Sequence, residues 1–333
     1  ATELIDILAG LRERIGIAPG AEVTLEANPD TVTREDLHAL AGAGFTRVSF
    51  GMQSAVPAIL ATLDRTHTPE RVPLVVQWAK DAGLSTSVDL IYGTPGESLA
   101  DWETSLRAAL SYESDHISAY ALVVEEGTKM GAQVARGELP TPDPDDEAAK
   151  YELADALLSE AGYAWYEISN FARATEADRL SGCPSTHFEH ASAHNLAYWR
   201  DWDWWGFGPG AHSHVGRARW WNVKNPGAYA GRLRAGGSPA AAGEVLGAQE
   251  RELERVMLGL RTSEGVALEG LAGVGRGDEA VSGSVVDECA SGRVAALIVD
   301  GLIDGVAVLG GRAVLTLRGR LLADYVTREL MGY

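Results

Sequence analysis

Three segments of this chain end in a polar side chain at the point where a buried strand should run out. They are Thr24-Leu25-Glu26-Ala27-Asn28-Pro29, Val48-Ser49-Phe50-Gly51-Met52-Gln53-Ser54 and Val88-Asp89-Leu90-Ile91-Tyr92-Gly93-Thr94-Pro95. Each precedes a helical pattern, which predicts repeated βα units with a ligand site at the carboxyl ends of the strands. Asn28-Pro29, Gly51 and Gly93-Thr94-Pro95 punctuate the strands beside those side chains. Taken singly, Glu26, Gln53 and Asp89 read as rim or capping residues. Three in successive units, with Arg65 on the helix after Gln53, point to a shared pocket. A carboxylate takes a ribose hydroxyl or an ammonium group, Gln53 both donates and accepts, and Arg65 offers a fork for a carboxylate. The combination suits a nucleoside that carries an amino acid.

Periodicity predicts helix over 1–16, strand 22–27, helix 33–43, strand 46–50, helices 55–63 and 69–82, strand 84–91, helix 98–110 and strand 116–122. Leu37, Leu40 and Ala41, then Val72, Val75, Val76 and Ala79, recur at helical spacing, while the strands are short apolar runs. That is the pattern of strands covered by helices on one side and packed inside a barrel on the other. With right-handed crossovers the order makes a parallel, curved sheet. The run Leu139–Asp146 opens a helix over 147–161, a strand follows over 163–171, and 172–193 reads as a long loop.

Gly236–Pro239 marks a linker. Beyond it, 249–260 and 293–302 read as helices, 306–309 and 313–317 as short strands and 319–330 as a helix, which resembles a winged-helix module. Residues 248–333 carry nine Arg and no Lys against thirteen Asp and Glu, so a packing domain is the better reading than a DNA-binding one. The expected class is α/β: a partial TIM-like (β/α) barrel over 1–172, a His/Trp-rich segment over 173–236 and a small α+β, winged-helix-like domain over 237–333.

The net charge of −19 argues against a nucleic-acid partner and leaves at most peripheral membrane contact, since phosphate binding needs clustered Lys and Arg. No apolar run approaches the ~20 residues of a membrane-spanning helix. Two cysteines, Cys183 and Cys289, form no disulfide framework, and the chain reads as cytoplasmic.

Six of the nine tryptophans lie between Trp199 and Trp221, alongside His194, His212 and His214. A planar ligand would account for them, but on composition alone an aromatic-lined core corner is the better reading. Upstream, Cys183, His187, His190 and His194 offer one thiol and three imidazoles at short spacing, ligand types that suit zinc; a solvated histidine-rich loop is the alternative. Gly206–Ala211 matches GxGxxA in letters but lacks the strand-to-helix context of a dinucleotide site.

The stretches TLEANPDTVTREDLHALAGAGFTRVSFGMQS, THTPERV, SVDLIYGTPGES, HISAYALVVEEGT, HNLAYW and WWGFGPGAHSHV together resemble the radical S-adenosylmethionine proteins related to oxygen-independent coproporphyrinogen III oxidase, over nearly the whole chain. The resemblance implies a radical S-adenosylmethionine barrel in which Glu26, Gln53, Arg65 and Asp89 contact S-adenosylmethionine. HNLAYW is similar to the HNxxYW motif of the haem-chaperone branch. It implies haem held by His194 as axial ligand, with Asn195 fixing the ring and Tyr198 and Trp199 covering the porphyrin edge. Cys183, His187 and His190 then become candidates for a second haem ligand as well as for zinc. Family members place a Cys-Arg pair immediately before the motif, where this chain has Ser192-Ala193.

The family also begins with a CxxxCxxC strand that holds a [4Fe-4S] cluster, followed by a GGGTPS turn, and neither is present here. The resemblance therefore reads this chain as lacking its first two βα units, with the cluster confined to a full-length protein. The HNxxYW resemblance implies a haem chaperone that passes haem to an unidentified acceptor protein; an oxygen-independent porphyrinogen oxidase and a zinc-binding structural protein are the alternatives.

Overall fold

The periodicities of the N-terminal half become alternating helices and strands in the computed structural model, which describes residues 1–65, 67–269, 271 and 288–333. The first elements are α1 (Thr2–Arg14), β1 (Thr24–Ala27), α2 (Arg34–Ala43), β2 (Arg47–Gln53), α3 (Pro57–Thr62), α4 (Arg71–Asp81), β3 (Ser85–Tyr92), α5 (Leu99–Ser111) and β4 (His116–Ala121). There follow α6 (Lys129–Ala135), α7 (Pro144–Glu160), β5 (Tyr163–Glu167), β6 (Asn170–Arg173), α8 (Glu176–Ser181) and α9 (Ala193–Trp199). Capping boxes start α2, α5 and α8, at Thr33 with Asp36, Ser98 with Asp101 and Thr175 with Asp178. In each, hydroxyl and carboxylate satisfy two orphan amides reciprocally. α7 opens on Pro144 with three acidic residues in its first turn, where the helix dipole favours negative charge.

Six strands form one sheet in the order β1-β2-β3-β4-β6-β5. β1 to β4 pair in parallel, whereas β6 runs antiparallel to both β4 and β5. The expected single strand over 163–171 is therefore a hairpin, turned where Ser169 takes φ 88°. The sheet is open, with β1 and β5 at its edges.

Side chains alternate across a strand, so the register assigns the two faces. Val48, Phe50, Met52, Val88, Leu90, Ile117 and Ala119 share one face and are buried, together with the stripes Leu37 and Leu40 of α2 and Val72, Val75, Val76 and Ala79 of α4. The opposite, inner face carries Glu26, Ser49, Ser87, Asp89, His116, Ser118 and Asn170. It is polar, where apolar barrel packing was expected. Segment 172–193 is likewise more ordered than a loop, containing α8 and a 3-10 turn, Ser185–His187.

The chain divides into two compact units, Ala1–His194 and Asn195–Tyr333. The second unit continues with β7 (His212–Val215), β8 (Ala218–Asn222), α10 (Pro226–Arg234), β9 (Ala240–Val245), α11 (Ala248–Leu260), β10 (Val266–Ala267), α12 (Glu288–Val299), α13 (Gly305–Leu309), β11 (Arg312–Ala313), α14 (Leu317–Leu321) and α15 (Ala323–Met331). β7, β8 and β9 form an antiparallel sheet, and Gly236–Pro239 is the turn from α10 into β9. β10 pairs with β11 over two residues each. Residues 306–309, expected as a strand, lie in α13, because Asp304 Oδ1 accepts the amides of Val306 and Ala307 and so starts a helix. Among the described residues no helix is long and apolar enough to cross a membrane.

Candidate functional site

The inner face concentrates its acids near the carboxyl ends of β1 and β3. Glu26 stands opposite Ser49, Gly51 opposite Asp89 and Asp89 opposite Ser118. Ser49 Oγ donates to Asp89 Oδ2 at 2.7 Å. Burial pushes the Asp89 carboxyl up to about 6; hydrogen bonds from Ser49 and Ser118 oppose the shift, and the charge of Glu26 adds to it. The two carboxylates therefore share one field.

Gln53 closes β2 with φ 64°, a left-handed conformation costing a non-glycine residue about 1–3 kcal/mol. The register of β2 on β3 shifts between Gly51 and Gln53. A Cβ at Gly51 would lie 2.8 Å from Gln53 Nε2, so glycine is what lets the amide lie there. Arg65 is not on a helix: α3 ends at Thr62, and Arg65 is exposed in the turn that follows, its amide bonded to Leu60 O.

Two residues that sequence reasoning missed hold the loop after β3. Lys150, fully buried on α7, donates to Asp146 Oδ2 at 2.6 Å and to Glu97 O at 2.8 Å, and pairs with Glu97 Oε2 at 3.3 Å. Glu97 Oε2 in turn accepts the Gly93 amide. The visible trace was the i,i+4 spacing of Asp146 and Lys150, which looks like an ordinary surface pair.

The HNLAYW motif forms α9. At 3.6 residues per turn, His194, Asn195, Tyr198 and Trp199 span about 140° of one side of the helix, while Leu196 on the other side is buried. His194 and Tyr198 are exposed, and Asn195 and Trp199 are half-buried. Glu22, another residue missed, fixes the entry to this helix: its Oε1 accepts from the His194 amide at 3.0 Å and from Ser192 Oγ at 3.2 Å. Arg47 pairs with Glu22 at 2.9 Å and donates to the carbonyls of His190 and Ala191.

Cys183 and His187 are exposed, and His190 faces Asp115 at 3.8 Å. Among the described residues no three His, Cys, Asp or Glu side chains are grouped to hold a metal ion. Cys183, His187 and His190, expected as a zinc set, are accordingly not grouped as one.

In the second unit Tyr198 packs edge-on against Trp204, with ring centres 4.9 Å apart, and Trp204 against His214 at 4.8 Å. Trp205 meets Trp220 at 4.8 Å. Trp205, Phe207, Trp220, Tyr229, Leu233 and Pro239 line a cleft of about 440 Å³. Gly206 sits where a Cβ would be 2.0 Å from His212 O, so the GxGxxA letters serve close backbone approach.

The model of the Radical SAM superfamily matches residues 1–109. The protein called Heme chaperone HemW in Mycobacterium tuberculosis is 44% identical over 330 residues, covering 99% of this chain and 76% of the relative. The chain belongs to the HemW family. Heme chaperone HemW of Bacillus subtilis is 34% identical over 248 residues, covering 74% of this chain and 62% of the relative. Among solved structures, coproporphyrinogen III oxidase (HemN) from Escherichia coli superposes with a TM-score of 0.75 at 20% identity, over 100% of this chain and 74% of that one. That likeness gives a HemW-family chain the radical S-adenosylmethionine fold.

Proposed function

We propose that this HemW-family chain is a haem chaperone, binding haem through His194 and passing it to an acceptor protein. The observation that carries this reading is α9: an exposed imidazole in its first turn, flanked along one face by Asn195, Tyr198 and Trp199. A neutral imidazole ligates haem iron, and aromatic faces exclude water from a porphyrin. Glu22 and Arg47 hold the first turn in position, so the imidazole is presented from a fixed backbone. The relatives named heme chaperone support the same conclusion.

The inner face of the sheet fits S-adenosylmethionine. Glu26 and Asp89 suit ribose hydroxyls or the ammonium group, Gln53 a mixed donor and acceptor, and Arg65 the carboxylate. S-adenosylmethionine supplies radical chemistry where a reduced iron–sulfur cluster accompanies it. The residues of this chain do not fit that cluster, since Cys183 and Cys289 are its two cysteines and three close thiolates are needed. We assign the chain to the cytoplasm, a compartment that keeps thiols such as the exposed Cys183 reduced.

The test is transfer. Haem-loaded chain, separated from free haem by size exclusion, should hand haem to apomyoglobin, read as the appearance of the myoglobin Soret band. Failure to retain haem through the column contradicts the reading.

A further inference from the structure

The charge balance of the chain reverses in the second unit. Between Asp203 and Glu244 the sequence holds five cations, Arg217, Arg219, Lys224, Arg232 and Arg234, and no acid, although the whole chain carries a net charge of −19. The cleft of about 440 Å³ opens within that stretch, and small-molecule sites typically measure about 300–1,000 Å³. Trp205 and Phe207 on its walls are 61% and 63% exposed, and Leu233 is 48% exposed, so they do not form a core corner. Large apolar side chains left open side by side mark a place where something binds.

The walls are held in place by the fold itself. Asn222 Nδ2 donates to the carbonyls of Gly206 and Gly208, the Gly208 amide donates to Tyr229 Oη and the Gly206 amide to Ser213 Oγ, so the turn that carries Phe207 is fixed on both sides. Trp220 stands edge-on to Trp205 at 74°. Successive residues of an extended chain face opposite sides. Trp204 bridges to His214 and packs against it and against Tyr198, whereas Trp220, which meets Trp205, pairs with Ser213. The cleft therefore lies on the face of the β7–β8 sheet opposite to the one that Tyr198 meets. Among the described residues its lining holds no imidazole, thiol or thioether, and the Tyr229 oxygen already accepts from Gly208, so it presents no axial ligand to iron.

We infer that this cleft is a second tetrapyrrole site, which holds a porphyrin ring between its aromatic walls and a porphyrin carboxylate on Arg232, whether or not the ring contains iron. Arg232 Nη1 donates to Ala240 O, on the wall of the cleft, at 2.7 Å, and the remainder of its guanidinium fork suits a carboxylate. A stretch with five cations and no acid favours an anionic ligand. A nucleobase carries donors and acceptors around its edge that apolar walls leave unpaired; the rim of a porphyrin is hydrocarbon apart from its carboxylates. The inference rests on the haem-chaperone reading for its cargo and adds a holding place that does not depend on His194. A haem in the cleft has no protein ligand on its iron, so it adds no shifted Soret band to that of the haem on His194.

Metal-free protoporphyrin IX, which keeps the ring and its carboxylates and lacks iron, tests it on the whole chain, titrated by the porphyrin's own fluorescence. One equivalent should bind to wild type and equally to His194→Ala. Trp205→Ala and Phe207→Ala should each weaken binding by about 10-fold, and Arg232→Gln by about 3-fold, a difference that fades at high salt. Circular dichroism checks the fold; if Trp205→Ala misfolds, Phe207→Ala and Arg232→Gln carry the measurement. Binding that these variants leave unchanged overturns the proposal, as does binding lost in Trp199→Ala instead, which would put the ring on α9. Haem bound with a shifted Soret band and no binding of protoporphyrin overturns it and leaves the His194 site standing; the reverse result sinks the His194 site and leaves the cleft. If protoporphyrin stays unbound while Trp205→Ala abolishes sedimentation with phosphatidylglycerol vesicles, or converts a dimer to a monomer, the patch covers that partner and the proposal falls.

Discussion

Ser49 Oγ donates to Asp89 Oδ2 at 2.7 Å across the parallel β2–β3 pair. That bond is the main stabilisation of a carboxylate which burial and Glu26 otherwise push up to about 6. The site holds its acid at a cost that a bound donor relieves.

The cost has a pH signature. With a folded value near 6 against about 3.9 in the unfolded chain, the folded state binds the Asp89 proton more tightly, so this group's contribution is fully present below about pH 4 and lost as pH rises through 6. Asp89→Asn should therefore raise the unfolding free energy at pH 8 by on the order of 1–3 kcal/mol, with the gain shrinking toward zero near pH 4. Thermal melts at the two pH values check it; equal gains at both would contradict the assignment.

Gly51→Ala places a methyl group 2.8 Å from Gln53 Nε2. Because that atom is the far end of a flexible side chain, stability should change by less than about 1 kcal/mol while the amide swings away. Ligand titration should show weakened binding of S-adenosylmethionine with an unaltered melting temperature.

Lys150→Met leaves Glu97 buried without its counter-charge. Breaking a buried pair from one side costs about 3–5 kcal/mol, measurable by urea unfolding. The double variant with Glu97→Gln should recover part of the loss, although the Gly93 amide keeps an acceptor only if the glutamine oxygen faces it.

Arg47→Met removes the partner of Glu22 and the donor to His190 and Ala191. The unfolding free energy should fall by about 2–4 kcal/mol. Haem titration should show affinity reduced by about 3- to 10-fold, without loss of the ligand-field spectrum, since the imidazole is displaced in position and not removed.

Glu26 and Asp89 were legible in the sequence because strand ends punctuated by Asn-Pro or Gly-Thr-Pro mark where parallel strands stop, and period-two alternation assigns their side chains to one face. Asn170 was not, because Tyr163–Phe171 reads as one continuous strand. Its turn uses Ser169 at φ 88°, a conformation that serine gives little warning of. Arg65 was misplaced by three residues because α3 ends at Thr62 with no glycine or proline to stop it. Glu22 and Arg47 meet residues of 190–194 across more than 140 positions of chain, a pairing no local pattern encodes. Residues 306–309 read as a strand, whereas the Asp304 cap starts a helix there.

Haem titration of wild type and His194→Ala, followed at the Soret band, is the most direct measurement. One haem per chain should bind to wild type with a shifted Soret band, and His194→Ala should abolish that shift, whereas His187→Ala and His190→Ala leave it in place. If His194→Ala binds haem as wild type does while Cys183→Ala does not, the ligand is the thiolate and the assignment of α9 is wrong.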